Sequence, residues 1–182
     1  MRSALIGALA AVALTACSKP APDERLQPLL DRVAIEDMMD GLYRNVETAS
    51  TTDFGDYFTP DTVFEINGTS YRGYDAIQDY QRKVAATSPM LDGTFHMLLN
   101  NLKVEVDGDA ATAQLYFTGV LSESLTGDPR LHKHGREYDL LKRQESGEWR
   151  IVKRVIVSDA SAESDFAGVE RPGEDYDVRK AQ

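Results

Sequence analysis

An α+β domain, with helices ahead of an antiparallel sheet, is the fold class this sequence predicts. Three observations carry it. Leu26, Leu29, Leu30, Val33, Met38, Leu42, Tyr43 and Val46 recur at helical spacing. After Pro89 the pattern changes to alternation, with Leu102, Val104 and Val106 set between Lys103 and Glu105. Between the apolar runs stand Asn67-Gly68, Asp107-Gly108 and Ser146-Gly147, pairs whose residues tolerate the backbone of tight turns. Helices followed by antiparallel strands place the helices on one face of the sheet.

The elements follow in order. Past Pro28, which a first helical turn tolerates, neither Pro nor Gly interrupts the first periodic run before Gly41, so one long or slightly bent helix is expected between about 25 and 50. Thr52 or Asp53 can cap a short second helix carrying Phe54, Tyr57 and Phe58 and stopped at Pro60. Val63 to Ile66 alternates as a strand, Asn67-Gly68 turns it, and Tyr71-Arg72-Gly73 closes the hairpin. Ile77, Tyr80 and Val84 mark a helix over Tyr74 to Ala86. Strands are expected around 102–106, over Ala111 to Leu121, over Arg136 to Arg143 and over Trp149 to Val157. Thr126-Gly127-Asp128-Pro129 turns the chain between the second and third of them. No internal repeat is present.

Composition narrows the function. The chain has 182 residues, 42% of them hydrophobic, which suits one domain with tails. Thirty acidic residues against twenty basic ones give a formal charge of −10, the wrong sign for a nucleic-acid partner. One cysteine makes neither an internal disulfide nor a thiolate metal cluster. That cysteine has a meaningful place. Arg2 precedes an uncharged Ala/Leu-rich run over Ala4 to Ala16, the layout of a secretory signal peptide. The run ends in Leu14-Thr15-Ala16-Cys17, which resembles the bacterial lipobox. The resemblance implies that Cys17 is lipidated and becomes the mature N-terminus. Several acyl chains hold a protein on a bilayer far more firmly than one. Ser18 after the cysteine carries no acidic retention signal, which by the same resemblance implies the periplasmic face of the outer membrane. The expected organisation is therefore a signal peptide over 1–16, the lipidated cysteine and a Pro-containing tether over 17–24, one domain over 25–159, and a flexible tail over 160–182.

A further resemblance rests on motifs in a fixed order. They are Phe58-Thr59-Pro60-Asp61, the hairpin Gly68-Thr69-Ser70-Tyr71-Arg72-Gly73, the turn Val106-Asp107-Gly108-Asp109-Ala110-Ala111-Thr112-Ala113, and Trp149-Arg150-Ile151 followed by Arg154. Together they resemble the SnoaL-like branch of the NTF2-like superfamily over about Leu29 to Asp159. This implies a cone: a curved antiparallel sheet wrapped around N-terminal helices, with a deep pocket between. Relatives include dehydratases, ketosteroid isomerase and polyketide cyclases, beside pocketed proteins with no assigned reaction, so fold alone does not fix function.

Candidate residues follow. His96 stands among Phe95, Met97, Leu98 and Leu99, and the resemblance implies a pocket histidine near this point. Neutral imidazole there can exchange a proton near neutral pH. Glu47 falls where the dehydratases carry an aspartate that partners this histidine. Tyr43 lies one helical turn before Glu47, so the two share a face, and its hydroxyl could polarise a carbonyl. Glu137 and Asp139 share one face of a strand, either as a pocket acid with raised pKa near the mouth or as a solvated edge. Arg154 can pair with one of them or hold an anionic ligand group. One departure stands out: the dehydratases place a second catalytic His or Asp on the long middle strand, where this chain has apolar Gly119-Val120-Leu121. His132 and His134 have no evident third ligand, so no metal site is expected. No phosphate loop or nucleophile elbow occurs, and no cofactor is implied.

Two readings stand. One is a cofactor-free dehydratase, isomerase or cyclase acting on a small apolar cyclic carbonyl compound, with His96, Glu47 and Tyr43 catalytic and Glu137, Asp139 and Arg154 binding substrate. The other is a non-catalytic module of the cell envelope that binds a small molecule or a partner. The expected partners are a small apolar molecule in the pocket and the membrane through the lipid anchor, without nucleic acid. The family resemblance adds homodimerisation through the outer face of the sheet.

Overall fold

A computed structural model describes residues 26–47, 54–87, 94–160 and 176–180. Residues 1–25, which hold the expected signal peptide, Cys17 and the expected tether, lie outside the described residues. The first helix, α1, spans Gln27–Glu47, and a single 3₁₀ turn follows at Phe54–Asp56. Strands β1 (Phe58–Ile66) and β2 (Thr69–Arg72) form the first hairpin, and α2 spans Gly73–Thr87. Four long strands complete the chain: β3 (Thr94–Asp107), β4 (Ala110–Ser122), β5 (Arg130–Arg143) and β6 (Trp149–Ala160). They make one six-stranded sheet in the order β2-β1-β6-β5-β4-β3.

The sheet is mixed, which corrects the purely antiparallel expectation. β1 runs parallel to β6, pairing Phe64 with Arg154 and Ile66 with Ile156. The other pairings are antiparallel. The chain leaves the first hairpin through α2 to start β3 at the far edge, and three antiparallel steps bring β6 back beside β1. Pro60 does not stop a helix. It sits exposed inside β1, where the register with β6 shifts between Phe58 and Val63, a place where a missing N–H is tolerated.

The turn signals hold. Asn67 and Gly68 adopt φ of 47° and 83°, the left-handed pair that a two-residue hairpin needs. Asn67 is buried as well, and its Oδ1 accepts the Ser158 N–H at 2.8 Å, which ties the turn to β6. Register shifts bend the long strands, between Asn100 and Lys103 on β3 and between His134 and Gly135 on β5. At Gly135 a Cβ would stand 2.4 Å from the Val157 carbonyl oxygen and 2.6 Å from the Phe117 ring, so only glycine lets β6 approach there.

The core lies between the inner face of the sheet and the two helices. Ile35, Met39 and Leu42 of α1, Ile77 of α2, Leu115 and Phe117 of β4, Leu141 of β5 and Ile151 of β6 form one buried cluster. Burying a side chain of this size stabilises by roughly 1.5–3 kcal/mol. The buried face of α1 is not the stripe that periodicity picked out. Leu26, Leu29, Leu30 and Val33 remain 51%, 53%, 55% and 48% exposed, while Asp31 is buried on the opposite side. Arg143 explains Asp31: its guanidinium donates to both carboxylate oxygens at 2.7 and 2.5 Å and lies 4.5 Å from the Trp149 ring centre. That hydrogen-bonded partner holds the Asp31 carboxyl below its ordinary pKa despite burial.

The tail expected to be loose is corrected in part. Val178 is 4% exposed, and Tyr176 meets Tyr138 edge-on at 5.0 Å, both in a second cluster with Val155 and Val157. Tyr138 alternates with Glu137 and Asp139, so this cluster lies on the outer face of the sheet.

Candidate active site

Alternation on β5 decides which side chains enter the cone. Glu137, Asp139 and Leu141 share the inner face, opposite Leu115, Ala113 and Ala111 of β4. On β6 the residues opposite Asp139 and Glu137 are Arg154 and Ile156. From α1, Tyr43 and Met39 reach the same place, one helical turn apart.

These side chains form a buried polar quartet. Glu137 and Asp139 have no exposed side-chain surface, and Arg154 has 5%. Arg154 Nε donates to Asp139 Oδ1 at 2.8 Å and Nη2 to Oδ2 at 3.1 Å, a two-pronged pairing. Its Nη2 also lies 2.9 Å from Glu137 Oε1. That contact is Coulombic only, because its angles do not make a hydrogen bond and Oε1 is left without a hydrogen-bond partner. The other oxygen, Oε2, accepts from the Tyr43 hydroxyl in a short contact. The guanidinium carbon sits 5.3 Å from the Phe58 ring centre and 5.8 Å from that of Tyr43.

Charge balance sets the protonation state. Two carboxyl groups share one buried guanidinium, so a second negative charge would be uncompensated. Burial pushes the Glu137 carboxyl well above its usual range; the Arg154 charge opposes this, and the charge and hydrogen bonding of Asp139 add to it. With a proton on Glu137 the quartet is neutral. Burial also raises the Tyr43 phenol well above its ordinary value, so it stays a hydrogen-bond donor. Burial works against the Arg154 charge, but Asp139 and Glu137 outweigh it and raise its pKa. The arrangement is a buried carboxyl group with a raised pKa, held by a phenol, beside an ion pair. That is the equipment of a general acid in an apolar surrounding.

The sequence-derived candidates divide. Tyr43, Glu137, Asp139 and Arg154 come together, and the solvated-edge reading of the two carboxylates is corrected by their burial. His96 does not join them, which corrects its expected place in the pocket. Phe95, Met97 and Leu99 turn inward on β3, so the residues between them turn out, and His96 is exposed. The side chain of Glu47 lies outside the described residues. His134 Nδ1 is 3.1 Å from Thr118 Oγ1, and His132 meets Phe95 edge-on at 5.9 Å. Among the described residues no group of three His, Cys, Asp or Glu is placed to hold a metal ion. The Tyr43–Glu137 contact was missed because residues 94 positions apart leave no spacing signal. Two surface clefts, of about 490 and 240 Å³, are lined by residues outside the quartet, including Asp31 and Arg143 in one and Glu105 and Arg179 in the other.

Known structures share this architecture. A proposed aromatic ring hydroxylase from Novosphingobium aromaticivorans is 25% identical, covering 76% of this chain and 98% of that one, at a TM-score of 0.59. A Mycobacterium tuberculosis protein of unknown function is 26% identical, with 80% of each chain covered and a TM-score of 0.64. A Catenulispora acidiphila protein in complex with S-DNPA is 18% identical, over 70% of this chain and 92% of that one, at a TM-score of 0.61. No curated protein matches the chain. The family model for the SnoaL-like domain matches residues 27–155, a span that holds the whole quartet, and this chain belongs to that family, with its NTF2-like α+β fold.

Proposed function

We propose that the protein is a cofactor-free acid–base catalyst of the dehydratase, isomerase or cyclase kind, acting on a small apolar carbonyl compound. The observation that carries this reading is Glu137: a fully buried acid that shares one guanidinium with Asp139, its pKa raised by burial, with Oε1 left without a geometric hydrogen-bond partner. It takes the role that sequence gave to His96. Glu137 gives its proton to a departing hydroxyl, which leaves as water, or to a carbonyl oxygen. The resulting carboxylate then recovers a proton from the adjacent carbon, so the enzyme ends as it began. Tyr43 orients the acid, and the Asp139–Arg154 pair fixes the charge around it. The Catenulispora protein's complex with a small molecule supports a ligand role for this fold.

The test is deuterium incorporation next to the carbonyl of cyclic ketones and β-hydroxyketones in D₂O, followed by NMR. Wild type and His96→Ala should exchange the proton, and Glu137→Gln should not. Equal exchange in wild type and Glu137→Gln would refute the assignment. The second reading, a non-catalytic binding module, is favoured by the complete burial of Glu137 and Asp139. Saturable binding of the same compounds without exchange would establish it. We also propose, from the lipobox, that Cys17 anchors the protein at the periplasmic face of the outer membrane. Identical membrane fractionation of wild type and Cys17→Ala in a Gram-negative host would refute that.

A further inference from the structure

The N-terminal half of α1 is apolar on two opposite sides. One side, with Ile35 and Met39 fully buried, belongs to the core. The other carries Leu26, Leu29, Leu30 and Val33 at i, i+3, i+4 and i+7, all about half exposed. At about 100° per residue this stripe lies roughly half a turn from the core face. Asp37 is the next residue on its line, and it is exposed. Glu36 and Asp40 lie on the same far half of the helix, whereas Arg32 stands beside the stripe and pairs with Glu36 at 3.3 Å. The outer side of α1 is thus apolar at the end where the chain enters and charged beyond it, where Arg44 pairs with Asp40 and the acidic residues are in excess.

We infer that this stripe is a membrane-docking surface, and that its occupant is the lipid bilayer. The inference rests on the reading of Cys17 as a lipid anchor. Eight residues, 18–25, join that cysteine to Leu26, the first residue of the stripe. Nine Cα–Cα steps, fully extended, reach at most about 30 Å. An anchored protein therefore holds the stripe within reach of the bilayer at all times. Four half-exposed aliphatic side chains on one helix face can enter the headgroup–acyl boundary while the acidic half of the helix stays in water. The tether alone sets distance, and the stripe adds orientation. Asp31 and its partner Arg143, with Asp109 beside them, sit at the bilayer end. The β4–β5 hairpin around Asp128 lies at the other end of those strands.

The single cysteine makes the test direct. Lipidation consumes the Cys17 thiol, so free thiols titrated in the unfolded, exported wild-type chain should be absent. With that shown, Leu30→Cys or Asp128→Cys supplies one thiol for a fluorescent label in the full chain. The lipidated protein is reconstituted in vesicles of phosphatidylethanolamine with a minor share of phosphatidylglycerol, including lipids with a quencher at the acyl boundary. Quenching of the label at position 30 but not at 128 is the expected result. Equal water access at both positions would overturn the docking surface and leave the anchor standing. A free thiol in wild type would instead refute the anchor. The stripe is then read in a Cys17→Ser chain mixed with the same vesicles, where lack of quenching at 30 overturns the inference and quenching sustains it. Leu29→Asp with Val33→Asp should weaken vesicle partitioning of that chain by roughly tenfold or more. Burial of the label at 30 without vesicles, growing with protein concentration, would assign the stripe to a second copy and overturn the inference.

Discussion

Replacing Glu137 by Gln should make the stability of this protein less sensitive to pH. The substitution keeps the shape of the neutral acid and the carbonyl that the Tyr43 hydroxyl approaches, but it cannot ionise. In the unfolded chain Glu137 titrates near 4.5, whereas burial in the folded chain holds it protonated well above that value. Above pH 4.5 the folded state therefore binds a proton that the unfolded state has released. Wild-type stability from this group is fully present below the unfolded pKa and is lost as pH rises toward the folded one. Each pH unit in that window is worth about 1.4 kcal/mol. Urea unfolding from pH 4 to pH 8 measures it. The variant should gain on wild type at about that slope from pH 5 upward. A constant offset at low pH is separate, because the new amide N–H₂ faces the Arg154 guanidinium, and a lost or unmet hydrogen bond there costs about 1–3 kcal/mol. A difference that stays flat across the whole range would refute the buried neutral acid, and with it the general-acid assignment.

Arg154→Met should destabilise the fold by about 3–5 kcal/mol in the same urea assay at neutral pH, since it strands the Asp139 carboxylate without its partner. Gly135→Ala should lower the thermal midpoint through an overpacking cost of about 1–3 kcal/mol, read by calorimetry; an unchanged midpoint would contradict the 2.4 Å approach to Val157. His96→Ala should change stability by no more than about 1 kcal/mol, because the residue is exposed on the outer face of β3. A chain ended after residue 175 should lose about 1–3 kcal/mol with Val178 and the Tyr176–Tyr138 contact, and amide exchange along β5 and β6 should quicken with it.

What the sequence made legible follows from how local each signal is. Asn67-Gly68 and Asp107-Gly108 name their turns because the backbone demand sits in two residues. The α1 boundaries were readable from spacing, but its buried side was not. Leu29, Leu30 and Val33 repeat as regularly as a core stripe, and only the distant Arg143 reveals that Asp31 faces inward. The parallel β1–β6 pairing likewise has no local mark. For the site, Glu137 and Asp139 share a face by alternation alone, and Arg154 follows Trp149 at a recognisable distance. Whether those carboxylates met water depended on α1 closing over them. His96 misled for the opposite reason: apolar residues flank it on both sides, so composition gave no phase, and the phase of β3 put it outside.

The mixed sheet also bears on the order in which the chain can fold. Tyr43 is made early, and its partner Glu137 comes 94 positions later. Arg154, the one cation beside both carboxyl groups, lies on the final strand, and that strand joins β5 to β1. A nascent chain that stops short of β6 can close its hairpins, but closing α1 over β5 would bury two acids without their cation. The last strand therefore completes the hydrogen-bonding of the sheet and the charge balance of its interior in one step. Contacts of such long sequence separation make folding slow and late-committing, so the partly built chain keeps its acidic face in water until the residue that neutralises it has been synthesised.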